Sequence, residues 1–551
     1  MPKAKQTSQL PPDFSLQDWL KGRRIVPGRG NPLSKLWLIG EAPGEVEEIK
    51  LMPFVGPSGK ETERMLSLGG ITSAEMFIDN VVPVRPPRNK LPLLGVPPEV
   101  FYPALAQKLE KFRPNCVIAA GGTALRALCG VTGVTARRGS ILHSSLVSGI
   151  KVVPMIHPSE LFKDWALRTL MIFDIRRAFE ESKTPDFDLP VRTYIIRPSL
   201  AQVVEACDEI KKNPVCGVDI ETSRGRISCI GLSCSKDWAI CIPLERRDGS
   251  SYWTKEEEAE IFHMIDEIFS DEEKIFVLQN HPFDFSFLYQ YHLFIRGQIW
   301  DIMTMHNLLW PDMKHGLHVT TSLYTREPYY KDEGKGWVPG ASEDTFWTYN
   351  CKDVCVTIEI FGKLLEELKR KNLLEFYELH YRRQQPALLS TQLTGWRIWE
   401  RRRARQRKTW EKKIAQAHKE LAGVYEPLVK GKGFEEFNVN SYPQMTWLLY
   451  EHLKLPVQRD RRTQNPTTNE DALEKLYVKK RHPVLLKILE LRGLRKYMSS
   501  YLNVKLDPDE RIRCSFGHTD FGRLKATKFL DATGTNLQTL PEVGRAFFIA
   551  D

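Results

Sequence analysis

Three short motifs constrain this chain more than anything else in it. An apolar run, Cys216-Gly217-Val218, leads into Asp219-Ile220-Glu221. About sixty residues later comes Asn280-His281-Pro282-Phe283-Asp284, and then Tyr349-Asn350-Cys351-Lys352-Asp353. On a strand, residues i and i+2 point to the same side, so Asp219 and Glu221 share a face. On a helix, residues i and i+4 are neighbours, which puts Tyr349 beside Asp353. Carboxylates gathered in one place raise each other's pKa values and repel, and divalent cations relieve that strain. Oxygen donors of this kind suit Mg²⁺ or Mn²⁺. The middle of the chain must therefore bring a strand, a loop and a helix together around cations.

Charge is distributed to match. The net charge of the 551 residues is +10. Residues 1–185 carry 25 basic against 17 acidic side chains, residues 186–375 carry 21 against 32, and residues 376–551 carry 33 against 20. Basic flanks suit phosphate neutralisation, whereas an acidic middle suits a segment that concentrates carboxylates around metal. The length fits about three domains. The first break falls in the Pro-containing stretch Ser182–Pro190 and the second near Lys369–Lys371. The expected organisation is an extension over 1–32, a first domain over 33–181, a linker over 182–190, a second domain over 191–372 and a third over 373–551.

With 42% apolar and 27% charged residues the composition is that of a globular protein. No run of about 18 apolar residues is free of charge, so no membrane span is expected. Residues 1–20 lack the apolar core of a leader peptide. A soluble, cytoplasmic protein is expected, in the host cell if the source is viral. The ten cysteines are scattered without a C-x-x-C pair, which reads as free, mostly buried thiols in a reducing compartment.

The first segment alternates apolar runs, Leu36–Gly40, Cys116–Ala120 and Val152–Ile156, with helical patterns and Gly/Pro-marked loops, the rhythm of a layered α/β domain. Its informative pieces are Gly40-Glu41-Ala42-Pro43-Gly44, Pro53-Phe54-Val55-Gly56, Asn80 at a strand end before Val81-Val82-Pro83-Val84-Arg85-Pro86-Pro87, and His157-Pro158-Ser159. In this order they resemble the thermophile-type branch of the uracil-DNA glycosylase superfamily. The resemblance implies an α/β/α sandwich whose pocket stacks a flipped uracil on Phe54, reads its polar edge with Asn80 and stabilises the departing anion with His157. Ala42 stands where other branches carry a water-activating Asp, and Glu41 or Glu47 could take that part. Val84 stands where the branch usually has a cluster-ligating cysteine, so no iron–sulfur cluster is expected. Whether this domain excises uracil or only binds it stays open.

In the second segment, strands are expected at Val215–Ile220, Ile227–Ser233 and Ala239–Pro243, with a helix at Lys255–Phe269. The carboxylate series resembles the DEDDy 3′–5′ exonucleases, including the proofreading domain of family A DNA polymerases. An RNase H-like fold follows from that resemblance. So does a pair of Mg²⁺ or Mn²⁺ ions held by Asp219, Glu221, Asp284 and Asp353, with Tyr349 orienting the attacking water. Asn280 positions the site or the DNA end, and Asp301 is a supporting acid.

The third segment is mostly helical, with candidates at Trp399–Leu421, Tyr442–Leu453, Asn469–Val478 and Pro483–Leu502. Eight basic residues crowd 401–413 against the single acid Glu411. Phe437-Asn438-Val439-Asn440-Ser441, Thr467-Thr468-Asn469-Glu470, Leu491-Arg492-Gly493-Leu494-Arg495-Lys496, Gly522-Arg523-Leu524 and Asn536-Leu537-Gln538 then follow in order. This series resembles the thumb and early palm of family A DNA polymerases. It implies DNA contacts from Arg492, Arg495, Lys496, Arg523, Asn536 and Gln538, which would position the duplex rather than read sequence.

The whole chain thus resembles a phage-type family A DNA polymerase that carries a glycosylase-like domain and stops at Phe548–Asp551, short of the polymerase catalytic motifs. Expected partners are primer–template DNA and single-stranded 3′ ends, with a second chain supplying the remaining palm and fingers; no polymerisation is expected from this chain alone. A stand-alone repair nuclease and glycosylase, or a non-catalytic DNA-binding scaffold, are the alternative readings.

Overall fold

The computed structural model describes residues 14–335, 342–429, 437–460, 463–519, 521–529 and 534–549. The start of the N-terminal extension and the closing residues Ala550 and Asp551 lie outside the described residues. The chain divides into two compact units, residues 1–377 and 378–551. Among the described residues no helix is long and apolar enough to cross a membrane.

In the first unit, β1 (Arg29–Gly30), β2 (Leu36–Gly40), β3 (Phe77–Asn80), β4 (Cys116–Ala120), β5 (Leu142–His143) and β6 (Lys151–Met155) form one sheet in the order β1-β3-β2-β4-β6-β5. The four central strands are parallel and the two edges antiparallel. The continuous apolar runs are what a sheet covered on both faces requires. Alternate side chains go to opposite layers. Trp37, Ile39, Val117 and Ala119 pack with Leu105, Leu109, Leu125 and Leu128 of helices Tyr102–Phe112 and Gly122–Cys129. Leu38, Ile78, Ile118 and Val153 pack with Met65, Leu66, Met171 and Ile175 of helices Pro57–Gly69 and Leu167–Ser182. The result is the expected α/β/α sandwich, and its loops gather at the carboxyl ends of β2, β3, β4 and β6.

A second sheet in the same unit runs β12-β11-β8-β9-β10-β7, from β7 (Thr193–Ile195), β8 (Val215–Ser223), β9 (Arg226–Ser233), β10 (Trp238–Pro243), β11 (Ile275–Leu278) and β12 (Gln298–Asp301). β8, β9 and β10 form an antiparallel meander, while β11 and β12 add in parallel to β8. The 28-residue helix Glu343–Arg370 lies across the meander. It comes close because the sheet presents glycines beneath it. A Cβ on Gly217 would meet Ile358 and Val354, and one on Gly231 would meet Asn350 and Val354. The helix Lys255–Phe269 begins where the sequence signals it, with Thr254 and Glu257 forming a capping box.

These two layers of the first unit are tied together. Leu170 of the first domain packs with Met313 and Val319 of the second. The buried Arg138 donates to Asp174 and, at 3.0 Å, to Ser322. The expected linker is pinned rather than loose: Lys151 donates to Asp186 O at 2.8 Å, Arg326 to Asp188 O at 2.6 Å, and Phe187 stacks on His143.

The second unit is mainly helical. Its long helix Glu400–Val429 outruns the expected end, and helix Glu470–Lys480 starts at the cap Asn469. The expected helices from Tyr442 and Pro483 each finish in a π-helical turn, Trp447–His452 and Met498–Leu502. Short strands β13 (Trp396–Ile398), β14 (Arg511–Ile512) and β17 (Phe548–Ile549) form one sheet, and β15 (Ser515–His518) pairs with β16 (Leu524–Thr527).

Candidate functional site

The acid cluster is assembled from β8 and the long helix. Asp219 and Glu221 sit two apart on β8, directly before a register shift at Glu221/Thr222 that bends the strand. Opposite Asp219 on β9 is Gly231, and the space its missing side chain leaves is taken by Asn350. Asn350 donates to Asp219 Oδ2 at 2.8 Å and fixes its carboxylate. One turn along the helix, Asp353 completes the group: ligand atoms of Asp219, Glu221 and Asp353 all lie within 4.8 Å of one another. Asp284 stands behind them on helix His281–Leu288, accepting from Ile220 N–H at 3.2 Å. It is outside that tight trio, but the charge of Asp219 acts on it.

Burial and crowding mark the cluster electrostatically. Burial, then the charge of Asp353, pushes Asp219 up to about 8, with Lys331 and Asn350 opposing. Glu221 is also held well above the usual carboxylate range by burial, then by Asp219 and Asp353. Asp284 is raised by burial and by Asp219. Three half-buried to buried acids that resist ionising together suit a dication, which supplies the missing positive charge. The donor set is all hard oxygen, and it fits Mg²⁺ or Mn²⁺ rather than a thiophilic metal.

The phenol of Tyr349 points at the same cluster but is bonded to Lys331, whose Nζ lies 2.9 Å from the phenolic oxygen and 2.6 Å from each oxygen of Asp353. Tyr330, which is buried, donates to Asp353 Oδ1 at 2.6 Å. Neither Lys331 nor Tyr330 is signalled by the sequence, because the segment around them has no periodicity and its contacts lie about twenty positions downstream. Asn350 could have been found, since it lies inside the Tyr349–Asp353 motif. Asp301, expected as a supporting acid, is spent on the backbone: it accepts from the N–H groups of Asn280, His281 and Met303 and from the His281 ring. Asn280 adopts the left-handed conformation at the start of the helix that carries Asp284, so its part is to set that turn.

The five residues expected to form a base pocket in the first domain do line one cavity. Glu41, Glu47, Phe54, Asn80 and His157 surround a space of about 850 Å³ at the carboxyl edge of the sheet. Phe54 is held in the left-handed region at φ 54°, a strained conformation for a bulky side chain that concentrates at functional sites. Gly59 and Gly40 make room for it, since a Cβ on either would strike Phe54. His157 accepts from Ser159 N–H at its Nδ1, which leaves Nε2 as the protonated nitrogen of the neutral ring. Burial lowers the His157 pKa against the opposing charges of Glu41, Glu160 and Glu47. Glu41 accepts from Thr123, and Glu47 accepts from Gly44 N–H at 2.5 Å while capping its own helix.

In the second unit, three motif stretches converge on a groove of about 690 Å³ lined by Asn440, Thr468, Asn469, Arg492, Arg495 and Lys496, among others. Lys496 is exposed there. Arg492 donates to Val439 O and Thr468 O and so ties two of the stretches together, while Arg495 donates to Asn438 and contacts His418. Arg523, Asn536 and Gln538 lie apart from that groove. Arg523 is exposed, Asn536 accepts from Gln538 N–H, and the Gln538 amide bonds the backbone of Leu524 and Ala526. Of the basic run on the long helix, Arg403 and Arg407 donate to Val504 O and Leu502 O. Arg401, Arg405, Lys408 and Lys412 remain exposed.

A pocket at the sheet edge of the first domain, a nuclease-like acid cluster in the second and a helical unit with a basic groove fit a multidomain protein of DNA replication and repair. Residues 27–178 match the Uracil DNA glycosylase superfamily, residues 194–369 the 3′–5′ exonuclease family, and residues 405–550 DNA polymerase family A. The type-4 uracil-DNA glycosylase of Thermotoga maritima is 33% identical over 163 residues, 29% of this chain and 83% of that protein. The DNA polymerase of Bacillus phage SP01 is 23% identical over 598 positions, covering 91% of this chain, which spans 63% of the phage protein. DNA polymerase I of Bacillus subtilis is 29% identical over 231 residues, 41% of this chain and 24% of that protein. Among solved structures, the POL domain of Pol1 from M. smegmatis, in complex with DNA primer-template and dNTP, aligns with 65% of this chain and 59% of its own. That alignment has a TM-score of 0.48 and 19% identity. The chain belongs to the uracil DNA glycosylase superfamily through its first domain, and joins that domain to a 3′–5′ exonuclease domain and a family A DNA polymerase region.

Proposed function

We propose that the acid cluster hydrolyses DNA one nucleotide at a time from the 3′ end, as the proofreading module of a replication or repair polymerase. The observation that carries this reading is the convergence of Asp219, Glu221 and Asp353 within 4.8 Å. Asp219, Glu221 and Asp353 would hold one Mg²⁺ or Mn²⁺, and Asp284 with Asp219 a second. Such a pair supplies an activated water and a stabilised leaving oxygen. The chain's own residues do the rest: Asn350 keeps the Asp219 carboxylate aimed, and Tyr349 orients the attacking water at the terminal phosphodiester. Single-stranded 3′ ends are the substrate, and the groove of the second unit, with Lys496 and the exposed basic face of the long helix, grips the adjoining duplex by its phosphates. The phage relative supports a host-cell cytoplasm as its place of action. The full chain should degrade 3′-terminal DNA only with Mg²⁺ or Mn²⁺ present. Hydrolysis at the parental rate by Asp219→Ala/Glu221→Ala would refute the assignment.

We infer a second reaction from the first domain, because its five candidate residues line one cavity. A flipped uracil would stack on Phe54 and meet Asn80 with its amide edge. His157 Nε2–H would donate to the uracil oxygen that gains charge as the glycosidic bond breaks, the kind of fixed donor that stabilises a developing anion. Water adds to the sugar carbon in place of the base, and Glu41 or Glu47 takes its proton. Uracil-containing DNA should yield alkali-labile sites with the parent and not with His157→Ala. Equal yield from the two would end this reading.

A further inference from the structure

We propose that Lys331 is a positioning residue of the exonuclease site: a fixed ammonium that orients Asp353 and the hydroxyl of Tyr349, carried on a strap that the first domain holds in place. The inference rests on the metal-dependent nuclease reading above. Lys331 donates to both oxygens of Asp353 at 2.6 Å and to the Tyr349 oxygen at 2.9 Å. A phenol that accepts from an ammonium must aim its own O–H elsewhere. Here the acceptor beside it is the Asp353 carboxylate, which Lys331 also holds. Lys331 thus sets the sense of the Tyr349 hydrogen bond as well as the rotamer of Asp353.

The strap is not a surface loop that happens to fold inwards. On the side of the nuclease, Tyr330 bonds Asp353, Glu333 pairs with Lys352 at 2.7 Å, and Gly334 lies against the Tyr349 ring so closely that a Cβ there would enter it. On the other side the anchors come from the first domain. Arg177 donates to Thr325 O at 2.5 Å, Arg326 pairs with Glu181 at 2.8 Å, and Arg137 pairs with Asp332 at 2.5 Å with its guanidinium 4.6 Å from the Tyr329 ring. Lys331 is therefore held between two fixed walls. Second-layer groups that orient metal ligands typically carry about 10–100-fold of metal affinity or activity.

The test uses the full chain on 3′-labelled single-stranded DNA across a Mg²⁺ titration. Lys331→Met and Lys331→Ala should each lower kcat about 10–100-fold, with KM for DNA kept at the parental value and every assay run below the melting transition of the variant. Tyr349→Phe added to Lys331→Met should cost little more than the larger single loss, because the two side chains act as one unit. Three results would overturn the proposal: an unchanged kcat, losses that multiply independently in the double variant, or full kcat reached at lower Mg²⁺. The last would make Lys331 a stand-in cation that metal displaces. Asp219→Ala/Glu221→Ala run alongside separates the two levels, since its retention of activity would sink the nuclease reading itself.

Discussion

At the residue scale, the acid cluster is braced by side chains set behind it. Asn350 is fully buried and donates to Asp219 while filling the gap over Gly231. Asn350→Ala should weaken Mg²⁺ activation about 10–100-fold, read as a shift of the half-maximal concentration. His157 offers a second test, through pH. Its pKa is lowered below the ordinary 6.5 by burial, so the folded state favours the neutral ring. As pH falls below 6.5 the unfolded chain takes the proton first. The stability that His157 contributes is complete above that value, declines as pH falls, and stops declining below the folded-state pKa. Denaturant titrations of the parent and His157→Gln should converge over that acidic window and separate above it. Asp219 with Glu221, and Tyr349 with Asp353, were legible as same-face pairs from spacing, because strand and helix periodicities fix which residues face together; Asp284 and the grouping of the acids came only from the resemblance to DEDDy exonucleases. Lys331 and Tyr330 were not legible: their partners are brought to them by tertiary packing that no local pattern encodes.

At the scale of elements, the long helix and the meander beneath it are matched by absent side chains. A methyl on Gly231 would press on Asn350 and Val354. Overpacking of this kind costs about 1–3 kcal/mol, so Gly231→Ala should lower the melting temperature and also reduce nuclease activity by moving Asn350 off Asp219. The apolar runs at Leu36–Gly40 and Cys116–Ala120 and the capped helix Lys255–Phe269 could be read from sequence to the residue. Their signals are local, such as continuous apolarity bounded by glycine. The π-helical endings at Trp447–His452 and Met498–Leu502 escaped that reading, since one extra residue in a turn leaves the apolar pattern almost unchanged. Arg492 is instructive for the same reason. Its motif reads as a DNA contact, yet three of its donors close on Val439 O and Thr468 O, a use that only the packed structure reveals.

At the scale of the whole molecule, the first two domains share one compact unit. Arg138, Asp174 and Ser322 form a buried polar contact across their boundary, flanked by Leu170, Met313 and Val319. Removing one partner of a buried ion pair costs about 3–5 kcal/mol. Asp174→Ala should therefore destabilise both domains together, and calorimetry of the parent should show a single transition for this part of the chain. Two separable transitions would mean that the contact is too weak to couple them. The charge pattern of the sequence separates three segments, but a pattern of net charge carries no information about which faces meet.

The same contact makes the interval between base pocket and acid cluster a ruler. A hinge would leave their separation free; the contacts at this boundary hold the two domains against each other. If a uracil lodged in the first halts trimming by the second, the halt should fall a constant number of nucleotides from that base, wherever in the strand it is placed.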